Sequence, residues 1–308
     1  MRVVFMGSPD FAVASLRALL TMDLQVVGVV TQPDKPAGRG NELTAPAVKI
    51  FALSHGLDVH QPVKVRDGAL AQWLRDRQAD VAVVAAYGRI LTTEVLQAPR
   101  LGCVNVHASL LPKWRGASPI ARAIAAGDAQ SGVCLMQMEQ GLDTGPVLAR
   151  AIVAIEENDT TATLQLKLAE SGGQLLRNFL PKLAELHAVP QDEARASFAP
   201  PLQKSEGEID WTWPAQRVSA HIRAMTPWPG AWTLLQGEVL KVFAEDLQRL
   251  DARGLPGEVL QIKSNSLIVA CGAGALEIAQ MQRPNKRRMT AAEVMRGVRL
   301  GTGMRFGA

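Results

Sequence analysis

Short apolar runs alternate with amphipathic stretches through residues 1–150. The runs at 2–6, 26–30, 81–85, 102–107 and 133–138 are near-continuous Val, Ile and Ala rather than alternating. That is the pattern of strands in a parallel sheet covered on both faces. Helical spacing appears between them at 9–20, 45–55, 67–78 and 118–126, the first with Pro9 in its opening turn. The alternation predicts a doubly wound α/β domain with a mostly parallel sheet. Ligands of such sheets bind beyond the carboxyl ends of the strands, and Asn105 and His107 fall at such an end.

The pattern changes after a long predicted helix at 160–186. Residues 190–207 hold Pro190, Pro200 and Pro201 among charges without periodicity, as a linker does. A short helix is predicted at 214–225, and Pro227, Pro229 and Gly230 then break the chain. Five short apolar runs follow, at 231–235, 239–244, 257–262, 266–271 and 275–280. Separated by turn-forming residues, they predict a small antiparallel, OB-like β-barrel. The expected organisation is therefore a catalytic domain over 1–189, a linker over 190–207 and a smaller domain over 208–308.

The length of 308 residues fits two domains. The apolar runs at 43–48 and 81–86 are too short to span a bilayer. The chain enters its first strand-like run at once, without a signal-peptide cleavage site. Cys103, Cys134 and Cys271 stand isolated, which favours a reducing compartment, the cytoplasm, with no disulfide framework and no structural zinc. The net charge of +4 is mild, but its placement is uneven. Residues 281–308 carry Arg283, Lys286, Arg287, Arg288, Arg296, Arg299 and Arg305 against one acid, Glu293. Such a tail is either a solvated surface or a phosphate-contacting patch; composition leaves both open.

Several chemistries lack their residues. Gly7-Ser8-Pro9-Asp10 follows the first strand, so no dinucleotide fingerprint is present. No phosphate-binding Gly-x-x-x-x-Gly-Lys loop occurs, none of the five histidines is paired at metal-ligand spacing, and no nucleophile elbow surrounds Ser109. What remains is Asn105 and His107, two apart and so on one strand face, with Asp143 in a glycine-flanked turn. Each alone reads as structural: a satisfied histidine, a turn aspartate. Together they offer an oxyanion-stabilising amide, a proton-handling imidazole and a carboxylate to fix its tautomer. Direct transfer of a one-carbon acyl group to an amine needs those parts and no covalent nucleophile.

The run Asn105-x-His107-x-Ser109-Leu110-Leu111-Pro112-x-x-Arg115-Gly116, with Asp143 in Gly141-Leu142-Asp143-Thr144-Gly145, resembles the signature of the folate-dependent formyltransferases. The segments at 5–12, 31–40, 86–91, 209–211 and 226–229 agree with the same family, so the resemblance covers nearly the whole chain. It implies a Rossmann-like catalytic domain and formyl transfer from 10-formyltetrahydrofolate. The loop at 32–42 and the second domain point to members whose acceptor is the methionine of initiator tRNA. By this resemblance Asn105 and His107 bind the formyl oxygen, and Asp143 orients His107 and helps remove the amine proton. Ser109, Leu110, Leu111 and Pro112, with Tyr87, Gly88, Ile90 and Leu91, are implied to form the folate site. Phe11 is a candidate contact for the methionine side chain or a plain core residue. Arg39 is implied to reach the acceptor end of the tRNA, and Lys286, Arg287 and Arg288 its phosphates. The family carries two lysines after Gly40; Asn41 and Glu42 stand here and weaken that loop's electrostatic pull. A monomer without a membrane partner is expected. The site residues leave room for another amine, such as an amino-sugar nucleotide or a purine precursor. A catalytically silent tRNA-binding module and a dinucleotide-dependent oxidoreductase are the rivals from other classes.

Overall fold

The computed structural model of the chain describes residues 1–37, 42–297 and 301–307. The chain divides into two units. The first comprises Met1–Pro119, Gln130–Ala154 and Gln165–Ala199, and the second Ile120–Ala129, Ile155–Leu164 and Pro200–Ala308.

The first unit is built on seven strands: β1 (Arg2–Gly7), β2 (Gln25–Val30), β3 (Val59–His60), β4 (Val81–Ala85), β5 (Cys103–His107), β6 (Gln130–Gln137) and β7 (Val147–Ala154). Their order is β7-β6-β5-β4-β1-β2-β3. The pairs β2–β3, β1–β2, β1–β4 and β4–β5 are parallel, while β5–β6 and β6–β7 are antiparallel. The strand order reverses between β1 and β4, which makes their carboxyl ends the switch point of the sheet.

Helices cover both faces. Val4, Met6, Ala82 and Val84 cluster with Leu70, Ala71 and Leu74 of α3 (Ala69–Asp76) and with Val95 and Leu96 of α4 (Thr93–Leu96). On the other face lie α1 (Asp10–Leu20) and α6 (Thr161–Phe179), which enters this unit at Gln165. A side chain on Gly172 of α6 would come within 2.8 Å of Val106, and one on Gly173 within 3.2 Å of the Ala14 carbonyl, so two glycines bring α6 close to β5 and α1. The remaining helices of the first half are α2 (Ala47–Ser54) and α5 (Pro119–Ala125), of which α5 belongs to the second unit from Ile120 onward.

Two differences from the sequence pattern have plain causes. The helix predicted to run to 186 stops at Phe179, because Pro181 has no amide hydrogen and cannot continue an α-helix. Residues Leu180–Glu185 form a 3-10 turn instead. β7 escaped prediction because it is an edge strand whose burial alternates, unlike the continuous apolar runs of the central strands.

Among the described residues, the second unit also contains α7 (Ala215–Ala224) and α8 (Ala291–Gly297) with eight short strands. β8 (Ala231–Leu235), β9 (Glu238–Val242), β14 (Gln280–Gln282) and β15 (Met289–Thr290) form one antiparallel sheet. β10 (Gln248–Leu250), β13 (Ala275–Ile278), β12 (Leu267–Ala270) and β11 (Val259–Ile262) form the other. The single OB-like barrel of five strands expected from the sequence is not what pairs: no closed ring of strands is found among the described residues. The run read as one strand through 280 is cut at Ala279, so β13 and β14 belong to different sheets. Strands of two or three residues supplied the rest and carry too little pattern to be seen.

Candidate active site

The site is assembled at the carboxyl end of β5, wholly within the first unit. Asn105 is opposite Met136 and His107 opposite Cys134 in the pairing with β6. Spaced by two, Asn105 and His107 share a face, and both are buried. His107 Nε2 donates to the Trp114 carbonyl at 3.1 Å, while its Nδ1 lies 3.6 Å from Asp143 Oδ2. Both ring nitrogens therefore face acceptor oxygens. The sequence pattern foresaw the Asp143 partner but not the Trp114 carbonyl.

Asp143 reaches this position through an unusual turn. Its own backbone is left-handed, φ 52°, a conformation that aspartate tolerates better than most residues. Its Oδ2 accepts from the Gly116 backbone N–H at 2.8 Å, which aims the carboxylate at His107. Gly116 must be glycine: φ is 120°, and a Cβ would meet the Ala199 carbonyl at 2.8 Å. That crowding arises because Arg115–Gly116 pairs in parallel with Phe198–Ala199.

A second brace holds the same turn from below. Arg115 is among the largest fully buried side chains. Its guanidinium makes a two-pronged pair with Glu193 at 2.7 and 2.8 Å and donates to Gln191 Oε1 at 2.9 and 3.1 Å. Gln191 then donates through Nε2 to the carbonyls of Asp143 and Gly145, both at 2.7 Å. The pair raises the pKa of Arg115 and holds the Glu193 carboxyl below the usual carboxylate range. Sequence reasoning missed Gln191 and Glu193, which lie in the stretch read as linker. The one available signal was Arg115 itself, since a buried guanidinium requires acceptors somewhere in the chain.

The segments expected to hold folate divide by exposure. Ser109 is fully buried, with its hydroxyl donating to the Lys113 carbonyl at 2.6 Å, and Leu111 packs against Cys134, Met136 and Val147. Leu110 and Pro112 are half-buried. In the loop after β4, Tyr87 and Leu91 belong to the core, whereas Gly88 and Ile90 are exposed. The Tyr87 hydroxyl is buried without a hydrogen-bond partner, and burial pushes its pKa up. Phe11 is buried in the first turn of α1, as a core residue would be. Arg39 lies outside the described residues. No group of His, Cys, Asp and Glu among the described residues could hold a metal ion, and no helix among them is long and apolar enough to cross a membrane.

Residues 1–180 match the family described as formyl transferase, and residues 201–299 match the formyl transferase C-terminal domain. The chain belongs to the formyl transferase family. Among its relatives, the methionyl-tRNA formyltransferase of Thiobacillus denitrificans is 48% identical over 309 residues, covering 100% of each chain. That of Myxococcus xanthus is 50% identical over 304 residues, covering 98% of this chain and 96% of the relative. The fold is shared with the solved sugar 3N-formyl transferase WlaRD, at a TM-score of 0.68 and 18% identity, over 93% of this chain and 99% of that one. It is also shared with HypX from Aquifex aeolicus, solved with tetrahydrofolic acid, at a TM-score of 0.64 and 18% identity. This formyl transferase is covered there over 96% of its length but spans only 47% of HypX.

In the second unit of this formyl transferase, the basic tail proves heterogeneous. Arg283 pairs with Glu238 at 3.0 Å. Arg288 pairs with Glu245 at 2.8 Å and lies over the Phe243 ring, 4.2 Å from its centroid. Lys286 and Arg287 are exposed in the turn between β14 and β15. Thr290 and Glu293 cap α8 reciprocally, which commits the tail's one acid to helix structure.

Proposed function

We propose that this formyl transferase moves the formyl group of 10-formyltetrahydrofolate onto the free amino group of methionyl-initiator tRNA, supplying N-formylmethionyl-tRNA for translation initiation. The chemistry rests on one observation: Asp143 Oδ2 stands 3.6 Å from His107 Nδ1 beside Asn105, at the carboxyl end of β5. The acceptor rests on the full-length likeness to methionyl-tRNA formyltransferases.

The methionyl amine attacks the formyl carbon, and negative charge gathers on the formyl oxygen. The Asn105 amide and an N–H of His107 donate to that oxygen, a stabilisation realised mainly in the transition state. For this, His107 Nε2–H turns from the Trp114 carbonyl toward the formyl oxygen. Asp143 holds the imidazole and, through water, takes the proton that the amine sheds. Collapse of the tetrahedral adduct breaks the bond to the folate nitrogen, which receives a proton as it leaves. Leu110, Pro112, Gly88 and Ile90 line the folate, backed by Ser109, Leu111, Tyr87 and Leu91. Phe11, buried at the start of α1, backs the methionine side chain, while Arg39, Lys286 and Arg287 meet the tRNA and Arg288 braces their turn through Glu245 and Phe243. In this scheme residues 1–189 are catalytic and 208–308 bind tRNA, joined by 190–207, in a cytoplasmic monomer.

The test supplies methionine-charged initiator tRNA and 10-formyltetrahydrofolate, with an amino-sugar nucleotide as competing acceptor. Formylated methionyl-tRNA is the expected product. Formylation of the sugar with the tRNA left untouched would overturn the proposal.

A further inference from the structure

One residue ties together the three loops that leave the switch point of the sheet. Ser8 directly follows β1, Gln32 comes two residues after β2, and Tyr87 and Gly88 lie in the loop after β4. Since β1 stands between β2 and β4, a bond between their loops crosses two strand spacings, about 10 Å. Gln32 spans that distance: its Nε2 donates to the Tyr87 carbonyl at 2.8 Å and, at 3.4 Å, to that of Gly88. The fit is close, for a Cβ on Gly88 would come within 2.7 Å of the same nitrogen. The base of the side chain is fixed as well. The Gln32 N–H donates to Ser8 Oγ at 3.1 Å, and its carbonyl accepts from Thr31 Oγ1 at 2.7 Å and Gln61 Nε2 at 2.8 Å. Pro33 confines its backbone to extended conformations.

The other end of the Gln32 amide faces a different segment. Its Oε1 accepts from Lys35 Nζ at 2.7 Å. Lys35 opens a short hairpin, Lys35–Ala37 paired with Glu42–Thr44, and Arg39 falls between those two strands in the sequence. With carbonyls on one side and an ammonium on the other, the amide has one satisfied orientation. Lys35 and Gly88 are exposed, so the tie lies at the rim of the switch point rather than in the core.

We propose that Gln32 and Lys35 form a positioning pair through which the hairpin on the acceptor side sets the backbone of the donor loop. The inference rests on the reading that the donor lies against Gly88 and Ile90 while the 32–42 loop serves the tRNA. Gln32 touches neither substrate in this scheme. It holds the Tyr87 and Gly88 carbonyls in place, and Lys35 keeps its amide the right way round. Without the ammonium nothing opposes a flip of the amide, which would turn its oxygen toward two carbonyl oxygens and release the loop. Donor affinity therefore answers to a lysine on the hairpin, and that lysine acts through Gln32.

The experiment is a double-mutant cycle on the full chain with Gln32→Leu, Lys35→Met and the two combined. Tetrahydrofolate binding is read by fluorescence, and KM for each substrate by steady-state formylation. Gln32→Leu should raise the tetrahydrofolate Kd and the donor KM about 5-fold, the size that one or two hydrogen bonds support. Lys35→Met should raise both about 2- to 3-fold and add nothing in the Gln32→Leu background, as expected of a residue that acts through its partner. In Gln32→Leu, kcat at saturating donor and KM for methionyl-tRNA should stay within about 2-fold of wild type, a split that general loss of structure would not produce. Should Gln32→Leu fail to fold, the rise in Kd for Lys35→Met, a change at an exposed position, still decides. An unchanged tetrahydrofolate Kd in Lys35→Met, or effects that multiply in the double variant, would overturn the inference. So would a Lys35→Met variant whose KM rises for methionyl-tRNA alone, which would make Lys35 a plain acceptor contact. The expected shifts in tetrahydrofolate binding, found without any formylation of methionyl-tRNA, would sustain the positioning pair and defeat the proposed reaction.

Discussion

The side-chain amide of Gln191 bridges the carbonyls of Asp143 and Gly145, each at 2.7 Å, and so fixes the backbone whose carboxylate faces His107. Gln191 touches no reacting atom in the proposed scheme; it acts by position. Gln191→Leu removes both bonds and leaves two carbonyls and part of Arg115 unsatisfied, a loss of about 2–4 kcal/mol in stability. A shift of the Asp143 turn should also lower kcat by about 10-fold or more. Denaturant unfolding and steady-state kinetics would measure both, with KM for folate unchanged.

His107→Ala and Asp143→Asn test the transfer step directly. Each should lower kcat by about 100- to 1,000-fold, the usual loss for one oxyanion donor or its orienting partner. Affinity for methionyl-tRNA, read by filter binding, should stay near wild type. Matching losses in kcat and tRNA affinity would show that these residues hold the acceptor instead.

The Arg115–Glu193 pair gives a pH signature with a definite sign. Arg115 holds the Glu193 carboxyl below its ordinary range. The stabilisation is present above the unfolded carboxyl's pKa and is lost as pH falls through the lower folded value. The Tm of wild type should therefore exceed that of Glu193→Gln at neutral pH, and the two should converge as pH falls below the ordinary carboxylate range.

Within the basic tail, two substitutions should separate two roles. Lys286→Ala/Arg287→Ala should reduce the salt slope of tRNA binding by about 1 for each phosphate left without its cation, with stability unchanged. Arg288→Ala gives up the Glu245 pair and the Phe243 ring. It should cost about 1 kcal/mol of stability. Equal salt slopes in wild type and the double variant would return Lys286 and Arg287 to plain surface.

The central sheet was legible because β1, β4, β5 and β6 are buried along nearly their whole length and β2 over Gly28–Val30, and double burial writes a continuous apolar run into the sequence. β3, with two residues, and β7, with one exposed face, carry no such run. The pairing of His107 with Asp143 could be read from strand spacing and a glycine-flanked turn. The Trp114 carbonyl on His107 could not, since it depends on a left-handed residue at Trp114, φ 63°. Nor could Gln191 and Glu193, because a hydrogen bond across 76 residues leaves no local pattern.

The brace beneath Asp143 also dictates an order of assembly during synthesis. Asn105, His107 and Asp143 leave the ribosome well before Gln191, Glu193 and the Phe198–Ala199 strand that lock Arg115–Gly116 in place. A nascent chain halted at residue 189 holds every proposed catalytic side chain, with Trp114 and Gly116 beside them, but not Gln191, Glu193 or the Phe198–Ala199 strand. The full brace on the Asp143 turn is therefore complete only once Ala199 has been added.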